Sequence, residues 1–258
     1  MKTRVYIVAC TFIVFVVLLW VSYLWKEKAT GSSYIPPTGT EKYGLVGIED
    51  AYDGVIYTSN YLSAWAPDWK RAPDDGTLRL CTSVLQLKNK KFVNVGWYGT
   101  QLSTSSKLTN NSEDWTLLPG GGKSREILEL HDGTFAAIGS DKYIYTSPIL
   151  TNDNNSWKSL EGGGKSIRLI QLHDGTFVAL GGDWKMYKST KLTNDNAFWK
   201  LIDGTDGWND IRQLRDGTFI AIDDNSNICT SPILSGKKSN WTVLPDKTIR
   251  ARSLFIYY

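Results

Sequence analysis

Cysteine is scarce. Cys10, Cys81 and Cys229 are the only three in 258 residues, too few for a disulfide framework, so the fold must stand on its hydrophobic core. There are two histidines and no run with zinc-ligand spacing, so no metal or other cofactor is expected. A phosphate-cradling glycine loop and a nucleophile motif are missing as well. Basic excess is missing from the body of the chain. The formal net charge is +3, but residues 1–30 hold four basic residues and one acid, leaving 25 of each sign beyond them. A neutral body lacks the basic face that nucleic acid requires, so nucleic acid is not expected as a partner. With 41% hydrophobic and 21% charged residues, the chain is neither disordered nor fibrous.

One long apolar run is present. Val5–Trp25 contains no charge over 21 residues, about 30 Å of helix, enough to cross the hydrocarbon core of a membrane. Trp20, Tyr23 and Trp25 gather at one end, where amphipathic rings favour the lipid–water boundary. The run is too long for a cleaved signal peptide and no small-x-small site follows it. Lys2 and Arg4 precede it, which gives a single-pass type II anchor with the body extracellular, lumenal or on a virion surface. Residues 1–4 are then a short cytoplasmic tail. Residues 26–42, rich in Gly, Ser, Thr and Pro, form a flexible stalk. Asn110, Asn154 and Asn240 each begin an N-x-Ser/Thr sequon, which suits that side of a membrane.

Residues 43–258 are a repeat. A serine is followed ten residues later by a tryptophan at Ser59/Trp69, Ser105/Trp115, Ser147/Trp157, Ser189/Trp199 and Ser231/Trp241, with the tryptophans 46, 42, 42 and 42 residues apart. A second anchor, DGTF, ends at Phe135, Phe177 and Phe219, and Phe92 takes the same place one unit earlier. Within each unit, short alternating apolar runs are separated by Gly/Asp turns, the signature of four antiparallel strands. Four strands every 42 or so residues describe a propeller blade. The body begins with runs matching a second and a third strand (YGLVGI, GVIYTSN) and ends with one matching a first (TIRARSLFIYY). The fold expected is therefore all-β, a five-bladed propeller whose C-terminal strand completes the blade that opens the body and removes an exposed edge. Cys81 and Cys229 fall in non-adjacent blades and read as unpaired small hydrophobes.

The repeated Trp, Phe and Leu positions are structural, because large rings fill the space between neighbouring sheets. Candidate binding residues lie elsewhere. In such blades the loop between second and third strands emerges on the same face as the junction joining consecutive blades. The first set of loops carries Trp97, Tyr98, Asp141, Asp183, Trp184, Asp224 and Asn225. The second carries two Gly-Gly-Gly-Lys junctions, Gly120–Lys123 and Gly162–Lys165, and Gly207–Trp208. Flat aromatic faces, acceptor side chains and glycines on one rim suit sugars, whose rings stack while their hydroxyls take a few placed hydrogen bonds. Turn chemistry accounts for the same residue types, since Gly and Asp serve positive φ and caps.

The segment between the repeated Ser and Trp is similar to the Asp-box of sialidase-type propellers, a structural hairpin in that family. The run Met186–Ile222 (MYKSTKLTNDNAFWKLIDGTDGWNDIRQLRDGTFIAI) resembles a unit of the tachylectin-type five-bladed propeller lectins: a Tyr-Lys-Ser strand, an Asn/Asp loop ending in Trp, a Gly-Trp blade junction and an Asp-Gly turn before an aromatic. The resemblance implies metal-free recognition of N-acetylated amino sugars in pockets between blades, with Asp206–Gly207–Trp208 as the matching junction.

Two other classes compete with a lectin. A glycoside hydrolase or sialidase needs paired carboxylates or converging arginines in a central pocket. Arg125, Arg168 and Arg212 stand on three first strands in different registers, Glu129 shares its repeated site with Gln86, Gln171 and Gln213, and no acid/base pair converges; an enzyme is not expected. His131 and His173 occupy the position that Lys88 and Arg215 take in other units, which reads as an exposed cationic rim and not as a metal site. A protein-binding or structural platform, for example a membrane or virion component, is the remaining alternative. The expectation carried forward is a membrane-anchored, non-catalytic, glycan-binding propeller.

Overall fold

The computed structural model describes residues 44–49, 55–59, 69–73, 81–96, 101–122, 124–204, 206–244 and 251–257. They all belong to one unit of the chain, Thr40–Tyr258. The tail, the Val5–Trp25 run with Cys10, and the stalk lie outside the described residues. Among those described, no helix is long and apolar enough to cross a membrane.

The strands follow in chain order as five sets. β1 (Gly44–Glu49), β2 (Ile56–Ser59) and β3 (Lys70–Arg71) open the body. β4 (Cys81–Gln86), β5 (Phe92–Gly96), β6 (Leu102–Ser105) and β7 (Thr116–Leu117) make the second blade. β8 (Ser124–Glu129), β9 (Phe135–Gly139), β10 (Ile144–Ser147) and β11 (Lys158–Ser159) make the third. β12 (Ser166–Gln171), β13 (Phe177–Gly181), β14 (Met186–Ser189) and β15 (Lys200–Leu201) make the fourth. β16 (Trp208–Gln213), β17 (Phe219–Asp223), β18 (Ile228–Ser231) and β19 (Thr242–Val243) make the fifth, and β20 (Ala251–Tyr257) ends the described chain. Each blade is a four-stranded antiparallel sheet, and the first reads β20-β1-β2-β3. β20 pairs with β1 from Gly44↔Tyr257 to Glu49↔Ala251. The last strand therefore completes the first blade, and the ring closes as five blades.

The two repeated anchors meet across the sheet. Phe92 pairs with Ser105, Phe135 with Ser147, Phe177 with Ser189 and Phe219 with Ser231. The rings are buried and enter the apolar layers between blades. Five buried clusters fill the ring, each shared by two neighbouring blades; Trp69, Trp115, Trp157, Trp199 and Trp241 each pack into one of them. Four of these indoles donate to the carbonyl six residues earlier: Trp115 to Thr109 (3.1 Å), Trp157 to Thr151 (3.0 Å), Trp199 to Thr193 (2.9 Å) and Trp241 to Ser235 (2.9 Å). A buried aromatic with its N–H satisfied contributes its apolar area without a desolvation cost.

Polar staples tie the blades together as well. Asn194 reaches into the preceding blade, where its Oδ1 accepts from Ile144 N (2.8 Å) and its Nδ2 donates to Ile144 O (3.0 Å) and Leu160 O (2.9 Å). Asn152 makes the same three bonds to Leu102 and Leu118, and Asn110 to Ile56 and Ala72. Asn110 is therefore not an exposed sequon: its side chain is spent inside the fold, 1% exposed. Asn154 and Asn240 are exposed.

The turns between first and second strands are three-residue loops and not two-residue Asp-Gly hairpins. Gly175 N donates to Leu172 O (2.8 Å) and Leu172 N to Thr176 O (2.7 Å), with Gly175 at φ +83°. This is a type I turn followed by a left-handed bulge residue, which is why Asp and then Gly occupy it.

Cys81 and Cys229 are buried free thiols. Burial is the larger cause that pushes both above the ordinary thiol value, Cys229 to about 12.

Candidate functional site

Antiparallel alternation puts the turns between second and third strands beside the blade junctions, and backbone bonds join them. Ser166 N donates to Lys142 O (2.9 Å), Gly182 N to Lys165 O (3.2 Å) and Trp208 N to Trp184 O (3.0 Å). Asp183, Trp184, Asp206, Gly207 and Trp208 therefore assemble where blades four and five meet. Asp141 occupies the corresponding turn of blade three, and Asn225 that of blade five. Trp97 and Tyr98 lie outside the described residues.

The second-to-third turns repeat the type I-plus-bulge loop with no glycine at the left-handed position. Lys142, Trp184 and Ser226 adopt φ of 71°, 66° and 62° there. A left-handed conformation costs an ordinary L-residue roughly 1–2 kcal/mol. Trp184 accepts that cost with an indole that is 47% exposed, the largest flat apolar surface offered by any of these turns among the described residues.

The neighbouring carboxylates are held in place. Asp183 Oδ2 accepts from the Tyr187 hydroxyl (2.8 Å) and Asp141 Oδ2 from the Tyr145 hydroxyl (2.6 Å). Partial burial, followed by the bond to Asp183, pushes the Tyr187 phenol up to about 12. The bond to Asp141 leads the causes that raise Tyr145. Asp206 Oδ2 accepts from Lys238 N (2.7 Å), and the Lys238 ammonium pairs with Asp224. Burial is the largest influence and works against the charge on Lys238, but the bond to Asp224 and the charges of Asp224, Asp223 and Asp206 together outweigh it and raise the ammonium above its ordinary value. Asn225 N donates to Asp223 Oδ1 (2.9 Å), an Asx-type turn.

A cleft of about 510 Å³ opens at the junction of blades three and four, lined by Gly163, Gly182, Asp183, Tyr187 and Asn196 among others. Of Asp183, Trp184, Asp206, Gly207 and Trp208, only Asp183 borders it. The junction glycines divide into two kinds. Gly162 and Gly164 are pressed against the loop of Asn194 and Asn196: a Cβ would come within 2.2 Å of Asn194 C at Gly162 and within 2.3 Å of Asn196 Oδ1 at Gly164. The chain itself occupies the space that the sequence suggested for a ligand. Gly163 and Gly182 face open space, with nothing within 4 Å of a Cβ.

Trp208 is a correction. The run Gly-Thr-Asp-Gly-Trp reads as a loop, yet Trp208 begins β16 and is fully buried, 0% exposed. Its Nε1 donates to Gly236 O (3.2 Å). The position equivalent to Asn152 and Asn194 is Gly236 in the fifth blade, and the indole lies where that blade lacks the stapling side chain. Trp208 is core and offers no face to a ligand.

The sequence reading also missed a charged cluster at the axis of the ring. Ser83, Glu126, Arg168 and Asp210 each stand nine residues before an anchor phenylalanine, one on each of four inner strands, and Ser253 takes the corresponding place on β20. Arg212 donates to Glu126 Oε1 (3.0 Å) and pairs with Asp210 Oδ1 (2.8 Å), and Arg168 Nε lies 3.7 Å from Asp210 Oδ1. Asp210 Oδ2 accepts from Leu254 N (2.7 Å) and Ser253 Oγ (3.0 Å), and Glu126 Oε2 from Leu169 N (3.0 Å). Arg168 and Arg212 therefore do converge, on two carboxylates rather than on a ligand. Burial raises the Glu126 carboxyl despite both arginines; burial opposes the charge on Arg212, and Asp210 and Glu126 more than compensate. Among the described residues, no group of three or more His, Cys, Asp and Glu side chains could hold a metal ion.

No family model matches the chain, and no curated protein matches it. Solved propellers do. A protein of unknown function from Bacteroides caccae is similar over 84% of this chain and 99% of its own, with a TM-score of 0.51 at 9% identity. A chain of a nidogen/laminin complex is similar over 84% of this chain and 98% of its own, with a TM-score of 0.51 at 11% identity. At such identities the likeness shows the fold alone.

Proposed function

We propose that the chain is a membrane-anchored, non-catalytic carbohydrate-binding propeller. It takes N-acetylated amino sugars at the blade-four turn of Asp183 and Trp184 and the cleft that Asp183 borders between blades three and four, with the turn of Asp141 as a second, equivalent position. The observation that carries this reading is Trp184, an exposed indole at a left-handed position that would favour glycine. A fold that keeps a bulky ring under strain at a solvent-facing turn gains something other than stability from it. The adjoining Asp183 borders a cleft of small-molecule volume and holds its carboxylate at a fixed position on the Tyr187 hydroxyl. An aromatic face, a cleft and a placed acceptor thus follow one another along one turn, the mixture that sugar recognition requires. The two axial carboxylates, Glu126 and Asp210, are engaged by arginines and backbone N–H groups, which favours binding over catalysis. Val5–Trp25 supplies the anchor, with the propeller extracellular, lumenal or on a virion surface.

The test is ligand-observed NMR with N-acetylglucosamine on the full chain in detergent micelles. Trp184→Gly and Gly163→Phe should each weaken binding at least about tenfold, a loss of about 1.4 kcal/mol. Gly163 tolerates the ring because its Cβ would meet open space. Unchanged binding in both variants would end the reading.

A protein platform is the second reading. Leu117, Leu201 and Val243, on the two-residue outer strands of three blades, are 55%, 49% and 52% exposed. They belong to three different blades, whereas a single protein interface more often shows one contiguous apolar patch, which favours the sugar reading.

A further inference from the structure

We propose a second binding site, unrelated to the sugar face: the axial funnel at the opposite end of the strands takes a small amphiphilic anion, an apolar or aromatic group carrying a phosphate or carboxylate. The funnel encloses about 470 Å³, within the range of small-molecule sites. Its middle is apolar, built by Leu85, Leu128, Ile170 and Phe255, one from each of four inner strands. Its mouth carries Lys88, Lys90, His173 and Arg215. Among the described residues that line it, Glu126 is the single acid, at the floor, and Arg212 neutralises it at 3.0 Å. The mouth thus keeps a positive excess above low-dielectric walls, which focus the field inward.

The mouth is also preorganised. Lys88 Nζ donates to Leu130 O (2.8 Å) and His131 O (2.9 Å) of the next blade, which fixes its ammonium over the opening. His173 uses its backbone N–H on Gln213 Oε1 (2.9 Å) and its side chain is exposed. Of the acids outside the lining, Glu129 Oε2 accepts from Lys88 N (2.8 Å), the Lys88 charge acts on Asp132, and Asp174 pairs with Lys188 at 3.5 Å. Asp132 and Asp174 spend their Oδ1 atoms on Thr134 and Thr176 and lie outside the lining. An apolar waist below a cationic ring selects a ligand with a hydrophobic body and an anionic head.

The test is calorimetric titration of the full chain in nonionic detergent with phenyl phosphate, alongside benzyl alcohol and inorganic phosphate. The double variant His173→Gln/Arg215→Gln removes the Arg215 charge and the His173 imidazole from exposed positions, and its melting temperature is measured in parallel. We expect one phenyl phosphate per chain, weakened at least about tenfold in the double variant and by added salt, which screens exposed charge over about 10 Å at 0.1 M. Benzyl alcohol should fail to bind, inorganic phosphate should bind more weakly, and Gly163→Phe should leave phenyl phosphate binding unchanged. Equal binding of benzyl alcohol, full binding by a folded double variant, or no binding of phenyl phosphate overturns the proposal. Should the double variant melt early, His173→Gln alone decides: a weakened titration supports the site and an unchanged one overturns it.

Discussion

The rings of Trp208 and Trp241 lie with centroids 4.8 Å apart and planes tilted by 45°. One indole comes from the start of an inner strand and the other from the repeated position before an outer strand. Both enter the apolar layer between blades four and five, alongside Leu180, Met186 and Phe219. The contact makes Trp208 part of the core that holds the fifth blade.

Truncating it should therefore be expensive. Trp208→Ala is expected to cost about 3–5 kcal/mol, as for other buried aromatics, measured by urea unfolding. Trp184→Gly should be neutral or stabilising by up to about 1 kcal/mol, since it relieves a left-handed backbone. A large loss for Trp184→Gly, or a negligible one for Trp208→Ala, would reverse the assignment of the two indoles.

The buried asparagine is the second load on the ring. Asn194→Ala leaves Ile144 N, Ile144 O and Leu160 O without their partner, and each unsatisfied buried group costs about 1–3 kcal/mol. Denaturant unfolding should show a loss of about 3 kcal/mol or more. A change below about 0.5 kcal/mol, the range of ordinary surface substitutions, would mean that water replaces the staple.

Asp210 joins the fifth blade to the first through Leu254 N and Ser253 Oγ while facing two arginines. Asp210→Leu leaves buried guanidinium charge uncompensated, which typically costs about 3–5 kcal/mol. A variant with wild-type stability would show that solvent reaches the axial cluster.

The Tyr187–Asp183 bond has a pH signature. The folded phenol titrates at about 12, above its ordinary value of 10.0. The contribution to stability is thus fully present below pH 10 and is lost as pH rises toward 12. The stability gap between wild type and Tyr187→Phe should be constant to about pH 10 and shrink above it, with the latest-titrating tyrosinate absorbance missing from the variant. A gap that widens with pH would contradict the hydrogen bond.

The blades and their closure were legible because five Ser–Trp pairs and the DGTF anchors recur by residue type. Trp208 was misread because Gly and Asp around it signal a loop, while its burial depends on Gly236, 28 residues further on. The Gly-Gly-Gly junctions were half legible. Positive φ at Gly120 and Gly162 follows from turn chemistry, but their close neighbour is the loop of the same fold. The axial cluster escaped notice because Ser83, Glu126, Arg168 and Asp210 share a position and not a residue type. Counting back nine residues from each anchor phenylalanine would have aligned them. Asn110 shows the same limit from the other side, a sequon by spelling and a core staple by geometry.

The most direct measurement is a glycan array probed with the full chain in detergent, N-acetylated hexosamines included, beside the Trp184→Gly variant. The account predicts selective retention on N-acetylated sugars by the wild type and its loss in a folded variant. Silence across the array from a folded wild type, or equal retention by both, would contradict a glycan-binding role and leave the protein platform in its place.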